Sequence, residues 1–341
     1  MPYSARFAAL ALAAALTAPG VTAGQARPPL APHTLPAPRS TPLDARRSTP
    51  LSPVDGRAST PRSLLRDAPA DTAAPFTVTV TGHGRPMLLV PGLMSGGAVW
   101  DGVVARYRDR YELHVLTLAG FAGAPPLDSV QAPRFLAAER DAIIRYIRER
   151  RLDRPVLVGH SLGGFLALWV AADAPDLVGP VIAVDGVPYL MALGDSTMTP
   201  ERARPQAGAI RAAYAAFTPA QVAVQTRLGA AQMTRDPARA TTLEAWARTS
   251  DPATVGRAVA EMMTTDLRDS VAAIRAPVLL VGAGNGAAGD ALVRVRASYE
   301  RQLRRVPDAR VVIAADARHF VMWDDPAALT AAMDHFLGDR P

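Results

Sequence analysis

The stretch Val156-Leu157-Val158-Gly159-His160-Ser161-Leu162-Gly163-Gly164 decides how this chain is to be read. Three apolar residues of strand character run into Gly-x-Ser-x-Gly, and Leu162 to Ala172 is then apolar nearly all round, as a helix buried among neighbours requires. A serine at such a strand-to-helix turn is held in a strained conformation, and the flanking glycines leave room for strand and helix to approach closely. The turn presents the hydroxyl at a helix N-terminus, where unpaired amides stabilise negative charge.

Outward from this turn, short apolar runs alternate with helical stretches from Phe76 onward, the pattern of βαβ units on a parallel sheet. Strands are expected near 77–81, 86–90, 113–118, 156–159, 180–184, 278–282 and 310–314. Leu136, Ile143, Ile144 and Ile147 form a helical stripe, with Arg and Glu expected on the opposite face. The strand rhythm stops after Asp185 and resumes at Pro277. The stretch between, about 187–272, reads as several short helices punctuated by Pro200, Pro205, Pro219, Pro237 and Pro252. Thr218 before Pro219 and Ser250-Asp251 before Pro252 are the caps. An insertion of this size at one place in a sheet protein reads as a lid. Its Met191, Met198, Met233, Met262 and Met263, with Tyr189, Tyr214, Phe217 and Trp246, suit either the lid's own core or the wall of an apolar pocket.

The first 75 of the 341 residues have another character. Arg6, the apolar run Phe7 to Leu16, the break at Pro19-Gly20 and the small residues Val21-Thr22-Ala23 make a secretory signal peptide over 1–26, cleaved after Ala23 or Ala26. The run is too short for a permanent membrane span. Eleven prolines among polar residues in 28–75 mark 27–75 as an extended, disordered tether. The expectation is an exported protein, periplasmic or secreted. Composition is 49% hydrophobic and 20% charged, enough apolar material for a core in the rest of the chain. The net charge of +6 resides largely in the leader and tether, whose eight Arg face four Asp. The folded part is nearly neutral, which argues against a nucleic-acid partner. All 37 basic residues are arginine, and there is no cysteine, so disulfides, thiolate nucleophiles and Cys-based metal sites are excluded.

With its strand–turn–helix context, Gly159-His160-Ser161-Leu162-Gly163 resembles the nucleophile elbow of α/β-hydrolase-fold enzymes. The resemblance covers about 76–341. It implies an α/β fold with a mostly parallel, doubly wound sheet, a helical lid (187–272) inserted after strand six, Val181 to Val184, and Ser161 as nucleophile. The family order Ser, acid, His leaves His319 as the base, because it follows Ser161 and sits directly after the strand Arg310 to Ala314. For the acid the family offers two positions. Asn285 stands where many relatives place an aspartate, a departure that leaves Asp290 as the nearest downstream carboxylate. Asp185 ends the strand Val181 to Val184 on the same sheet edge as Ser161 and is preferred, because catalytic groups gather at strand C-termini. Asp290 is the alternative, with Asp316 and Asp324 behind it.

A tetrahedral oxyanion needs two backbone donors. The resemblance implies the amide of Leu162 and one from Pro91-Gly92-Leu93-Met94, where Pro91 replaces the histidine of the family's His-Gly-x loop; Leu93 is the candidate, Met94 the alternative. Gly282 to Gly289 imitates a dinucleotide loop but lacks the βαβ half that should follow, and no P-loop lysine, His-Glu-x-x-His or close histidine cluster is present. No cofactor or metal is implied. The expected activity is hydrolysis of a small or medium ester, with an apolar acyl or alcohol part, through an acyl-enzyme. Amidase, thioesterase and acyltransferase chemistry use the same apparatus, and a weakly catalytic ligand-binding protein is the rival reading. Stable membrane insertion is not expected, and oligomeric state is left open.

Overall fold

The strand-forming runs of the sequence assemble into one seven-stranded sheet in a computed structural model, which describes residues 75–128 and 132–338. The expected signal peptide (1–26) and all but the last residue of the expected tether lie outside the described residues. The strands are β1 (Thr77–Gly82), β2 (Arg85–Val90), β3 (Tyr111–Thr117), β4 (Val156–His160), β5 (Val181–Val184), β6 (Val278–Ala283) and β7 (Ala309–Ala314). They lie in the order β1-β3-β2-β4-β5-β6-β7. β1 runs antiparallel to β3, and every other pairing is parallel.

Successive side chains of a strand point to opposite faces, and the two faces carry separate cores. Leu88, Val90, Leu157, Val181 and Leu280 face one core, closed by α2 (Phe135–Glu149), α3 (Leu162–Asp173) and Tyr299 and Leu303 of α8 (Asp290–Leu303). Met87, Leu89, Val156, Val158, Ile182 and Val281 face the other, closed by α1 (Asp101–Tyr107), the short α9 (Val321–Asp324) and α10 (Pro326–Gly338). The central strands are therefore buried on both sides, which is why they read as continuous apolar runs. α3 is apolar nearly all round, as expected, because all but Trp169 and the terminal Asp173 are buried.

α2 departs from the expected pattern. Glu139 does not lie opposite the apolar stripe but is fully buried on the same side as Phe135, Leu136 and Ile143. Its Oε1 accepts the Ala119 N–H at 3.0 Å, which satisfies the backbone just past β3. One hydrogen bond offsets only part of the cost of burying a carboxyl.

Between β5 and β6 stand four α-helices, α4 (Pro200–Ala216), α5 (Pro219–Met233), α6 (Pro237–Arg248) and α7 (Pro252–Thr264). The insertion thus follows Val181–Val184, the strand counted above as the sixth, which is the fifth among the described residues. Each helix begins with a side-chain cap followed by proline: Thr199, Thr218, Asp236 and Asp251 accept from their own first turns, and Thr218 forms a full capping box with Gln221. Pro205, read as punctuation, instead lies inside α4. Gly256 lets α7 press on α4, since a Cβ there would come 2.7 Å from Tyr214 Cβ.

Burial pushes the Glu139 carboxyl up to about 8, against an ordinary value of 4.5. The folded chain then keeps a proton that the unfolded chain releases near the ordinary value. Stability attributable to Glu139 is present below that value, declines as pH rises through the interval and is gone above about 8. The expected outcome is a wild-type melting temperature that falls between pH 5 and pH 8.5, and a Glu139→Gln variant whose profile lacks that component, on the order of a few kcal/mol. Parallel profiles for the two proteins would show that Glu139 is not the group responsible.

Candidate active site

Ser161 sits between β4 and α3 with φ +54° and ψ −116°, a conformation that costs about 1–3 kcal/mol for a non-glycine residue. It is held there by bonds on both sides: its N–H donates to Val184 O at 2.9 Å, and its carbonyl accepts from Phe165 N at 2.9 Å as α3 begins. The motif glycines are spatial necessities. A Cβ at Gly159 would lie 2.1 Å from the Gly163 carbonyl oxygen, and one at Gly163 would lie 2.2 Å from Val90 O. Backbone occupies those places, so no side chain fits. Met94, Asp185 and Asn285 also have positive φ and, like Ser161, stand in loops that leave the C-terminal ends of strands.

Parallel registers bring these strand ends into one row: Val90 pairs with Gly159, Gly159 with Ala183, and His160 with Val184. Asp185 follows β5 and His319 follows β7, and the structure joins them. His319 Nδ1 donates to Asp185 Oδ2 at 2.7 Å, with both side chains buried. Asp185 Oδ1 accepts the Ala283 N–H at 3.0 Å and a short hydrogen bond from the Tyr299 hydroxyl. Three donors therefore hold this carboxylate, and the turn of the Asp185 backbone is fixed by its own N–H on Val281 O at 2.8 Å. Asp290 is exposed as the first residue of α8, and Asn285 is exposed in the turn after β6, where its N–H holds Ala317 O at 2.8 Å. Tyr299 is a site residue that the sequence did not reveal. It lies nine positions after the Asp290 considered for the acid, and the packing of α8 on β6, against Gly282, brings its hydroxyl to Asp185.

His160 has a larger part than its place in the motif suggested. Its Nε2 donates to the His319 carbonyl at 3.0 Å, and its ring lies 4.5 Å from that of His319 and 4.6 Å from that of Phe320. Burial first, and then the His319 ring, push His160 well below the ordinary imidazole range, so it is a neutral spacer. Gly92 makes room for it: a Cβ there would come 2.8 Å from His160 Nδ1 and 3.2 Å from Ser161 Cβ. The loop after β2 consequently lies directly over the serine, with Ser95 N donating to Gly92 O at 3.1 Å to close the turn around Leu93 and Met94. Leu162, the other expected oxyanion donor, is the first residue of α3 and is fully buried.

The loop that carries His319 is bolted to the corner between α5 and α6. Asp324 Oδ2 accepts Arg318 N at 2.9 Å, while its Oδ1 accepts Thr234 Oγ1 at 2.7 Å and Arg235 N at 2.9 Å. Phe320 N donates to Met233 O at 3.1 Å, and Arg318 Nη1 reaches the carbonyls of Ala231 and Thr234. Arg235 returns a bond to the Asp316 carbonyl at 3.1 Å. Asp324, weighed as a triad acid, is thus occupied in fixing the insertion to this loop, and Asp316 takes part through its backbone.

Ser161 and His319 open on a chamber of about 140 Å³ beneath the insertion. Leu93 and Met94 form part of its wall, as do Tyr214, Met233 and Met262 from the insertion; Met263 instead packs in the core. Burial pushes the Tyr214 phenol up to about 12, so it is neutral at working pH. Among the described residues no group of three or more His, Asp or Glu side chains is placed to hold a metal ion, and no helix is long and apolar enough to cross a membrane.

Residues 87–332 match the model of the alpha/beta hydrolase family. The chain is 28% identical over 280 residues to N-formylmaleamate deformylase of Pseudomonas putida, covering 76% of this chain and 91% of that protein. It is 26% identical, also over 280 residues, to the pimeloyl-[acyl-carrier protein] methyl ester esterase of Nitrosomonas europaea, covering 76% and 99%. Among solved structures, an enol-lactonase from Burkholderia xenovorans superposes with a TM-score of 0.61 at 16% identity, over 77% of this chain and 96% of that one, a likeness of fold. The chain belongs to the alpha/beta hydrolase family and is an enzyme of hydrolase type.

Proposed function

We propose that the chain is a serine hydrolase that cleaves a small or medium carboxylic ester through an acyl-enzyme, with Ser161, His319 and Asp185 as its triad. The observation that carries the reading is the His319–Asp185 hydrogen bond of 2.7 Å beside a chamber that Ser161 also lines. An unassisted serine hydroxyl is a weak nucleophile and needs a base. Asp185 accepts the Nδ1 proton and so fixes the tautomer, and proton exchange with substrate falls to Nε2. As Ser161 Oγ attacks the ester carbonyl, its proton passes to His319 Nε2, and the carbonyl oxygen gains negative charge. The amides of Leu162 and Leu93, or Met94 in place of Leu93, stabilise that oxyanion. Collapse expels the alcohol, which takes the proton from His319. Water, deprotonated by the same imidazole, then attacks the acyl-enzyme and releases the acid and Ser161.

The deformylase relative is a reason to test amides beside esters, because the same groups serve both. A binding protein without catalysis would not need a carboxylate at His319, and the observed pair favours catalysis over that reading. We further infer export to the periplasm or medium, on the signal-peptide pattern of residues 1–26, with 27–75 as a tether between the leader and the 76–341 enzyme.

An alkyl fluorophosphonate should label the wild-type protein once, on Ser161. Ser161→Ala should lose the label and at least about 10⁴-fold in kcat. A folded wild-type protein that resists the probe would contradict the hydrolase reading. Asp185→Asn should lower kcat about 10³- to 10⁴-fold, because the amide favours the wrong imidazole tautomer, while Asp290→Asn should retain wild-type turnover. The reverse outcome in folded proteins would move the acid to Asp290.

A further inference from the structure

Two spaces of unequal size meet at Ser161 and His319. The chamber of about 140 Å³ is matched, on the side toward Asp185, by a recess of about 20 Å³. Ser161, His319, Leu190 and Met262 line both. The two groups flanking a scissile carbonyl therefore face very different allowances. A cavity of roughly 150 Å³ accepts a benzene-sized solute, whereas roughly 10–15 Å³ is enough for one water. The recess is bounded by Phe165, Gly186, Val187 and Leu193. Gly186 packs closely on the serine turn, since a Cβ there would lie 2.7 Å from Ser161 O and 2.8 Å from Gly164 Cα.

Charge narrows the choice further. Among the described residues no Asp, Glu or Arg side chain lines the chamber, and Met94, Met233, Leu243, Val259, Met262 and Phe320 give it an apolar wall. Its polar side chains from the insertion are Tyr214, Gln225 and Thr226, and the Thr226 hydroxyl already donates to Val222 O at 3.0 Å. Arginine is abundant in this chain, yet among the described residues none lines either space. A substrate carboxylate would enter the chamber without a cation to meet it, and in the recess it would face Asp185. An unpaired charge in such surroundings is costly.

Resting on the serine-hydrolase reading above, we propose that the enzyme selects uncharged esters with one compact apolar group of about six heavy atoms on one side of the carbonyl and a group no larger than methyl on the other. Val187 and Leu193, beside the recess, and the uncharged chamber wall are its specificity determinants. Substrates that carry a second, free carboxylate are rejected.

The test compares four esters by pH-stat, with fluorophosphonate labelling of the same preparation. Methyl hexanoate and hexyl acetate each carry one small group, on opposite sides of the carbonyl; hexyl hexanoate is large on both sides; monomethyl adipate replaces the far methyl of methyl hexanoate by a carboxylate. At least one of the first two should exceed hexyl hexanoate about 100-fold in kcat/KM. Monomethyl adipate should fall about 100-fold below methyl hexanoate. Leu193→Ala, which enlarges the recess, should raise hexyl hexanoate turnover about 10-fold relative to the better small-sided ester. Equal turnover of hexyl hexanoate, or of the adipate, overturns the proposal. So does labelling of Ser161 with no turnover of either small-sided ester, an outcome that leaves the hydrolase reading standing. Absence of labelling in folded protein defeats both.

Discussion

The contact between Gly159 and Gly163 is the constraint on which the site depends. With backbone of the following helix where a Cβ would sit, strand β4 and helix α3 can meet at a bend sharp enough to hold Ser161 at φ +54°. A residue with a side chain at either glycine would push α3 off β4 and away from Val90, whose carbonyl oxygen lies 2.2 Å from the place of a Gly163 Cβ. The strain at Ser161 is sustained by the two buried cores that clamp the sheet from either side, because neither face can yield without opening close packing. The strength of the fold and the exposure of one hydroxyl at the sheet edge are consequently one problem with one solution.

The rest of the site is assembled around that bend in layers. His160, part of the motif itself, supports the His319 loop by donating to the His319 carbonyl and packs its ring, tilted, against that of His319. Asp185 orients the imidazole, and Tyr299 with the Ala283 amide orients Asp185. On the opposite side Asp324 and Arg318 fasten the same loop to the corner between α5 and α6. Met233, at that corner, contributes its carbonyl to the fastening and its side chain to the chamber wall. The shape of the pocket and the position of the imidazole are thereby tied together, so motion of the insertion at this corner would displace the His319 ring.

Much of this was readable from the sequence, for physical reasons that differ by element. The central strands β2, β4, β5 and β6 follow from apolar runs, because a parallel sheet buried on both faces leaves little room for polar residues, whereas the edge strand β1 is a largely exposed alternation of Thr and Val. The Thr218-Pro219 and Asp251-Pro252 helix starts follow from local hydrogen bonding. Pro205 misled because a proline's missing donor can be tolerated within α4. Glu139 misled because a single carboxyl can be drawn into a core by a backbone amide 20 residues away. Asp185 could be favoured from its strand-end position, whereas Tyr299, Asp324 and the unequal spaces flanking Ser161 arise from tertiary packing and have no local signature.

In the proposed reaction the strained serine becomes covalently acylated with the help of the imidazole bound to Asp185. Mass spectrometry of an acid-quenched reaction during turnover of an activated ester tests it directly. The expected result is a transient acyl adduct on the peptide bearing Ser161, absent in Ser161→Ala and persisting longer when deacylation is slowed by Asp185→Asn. Steady hydrolysis with no adduct at any time, or an adduct confined to another residue, would contradict it.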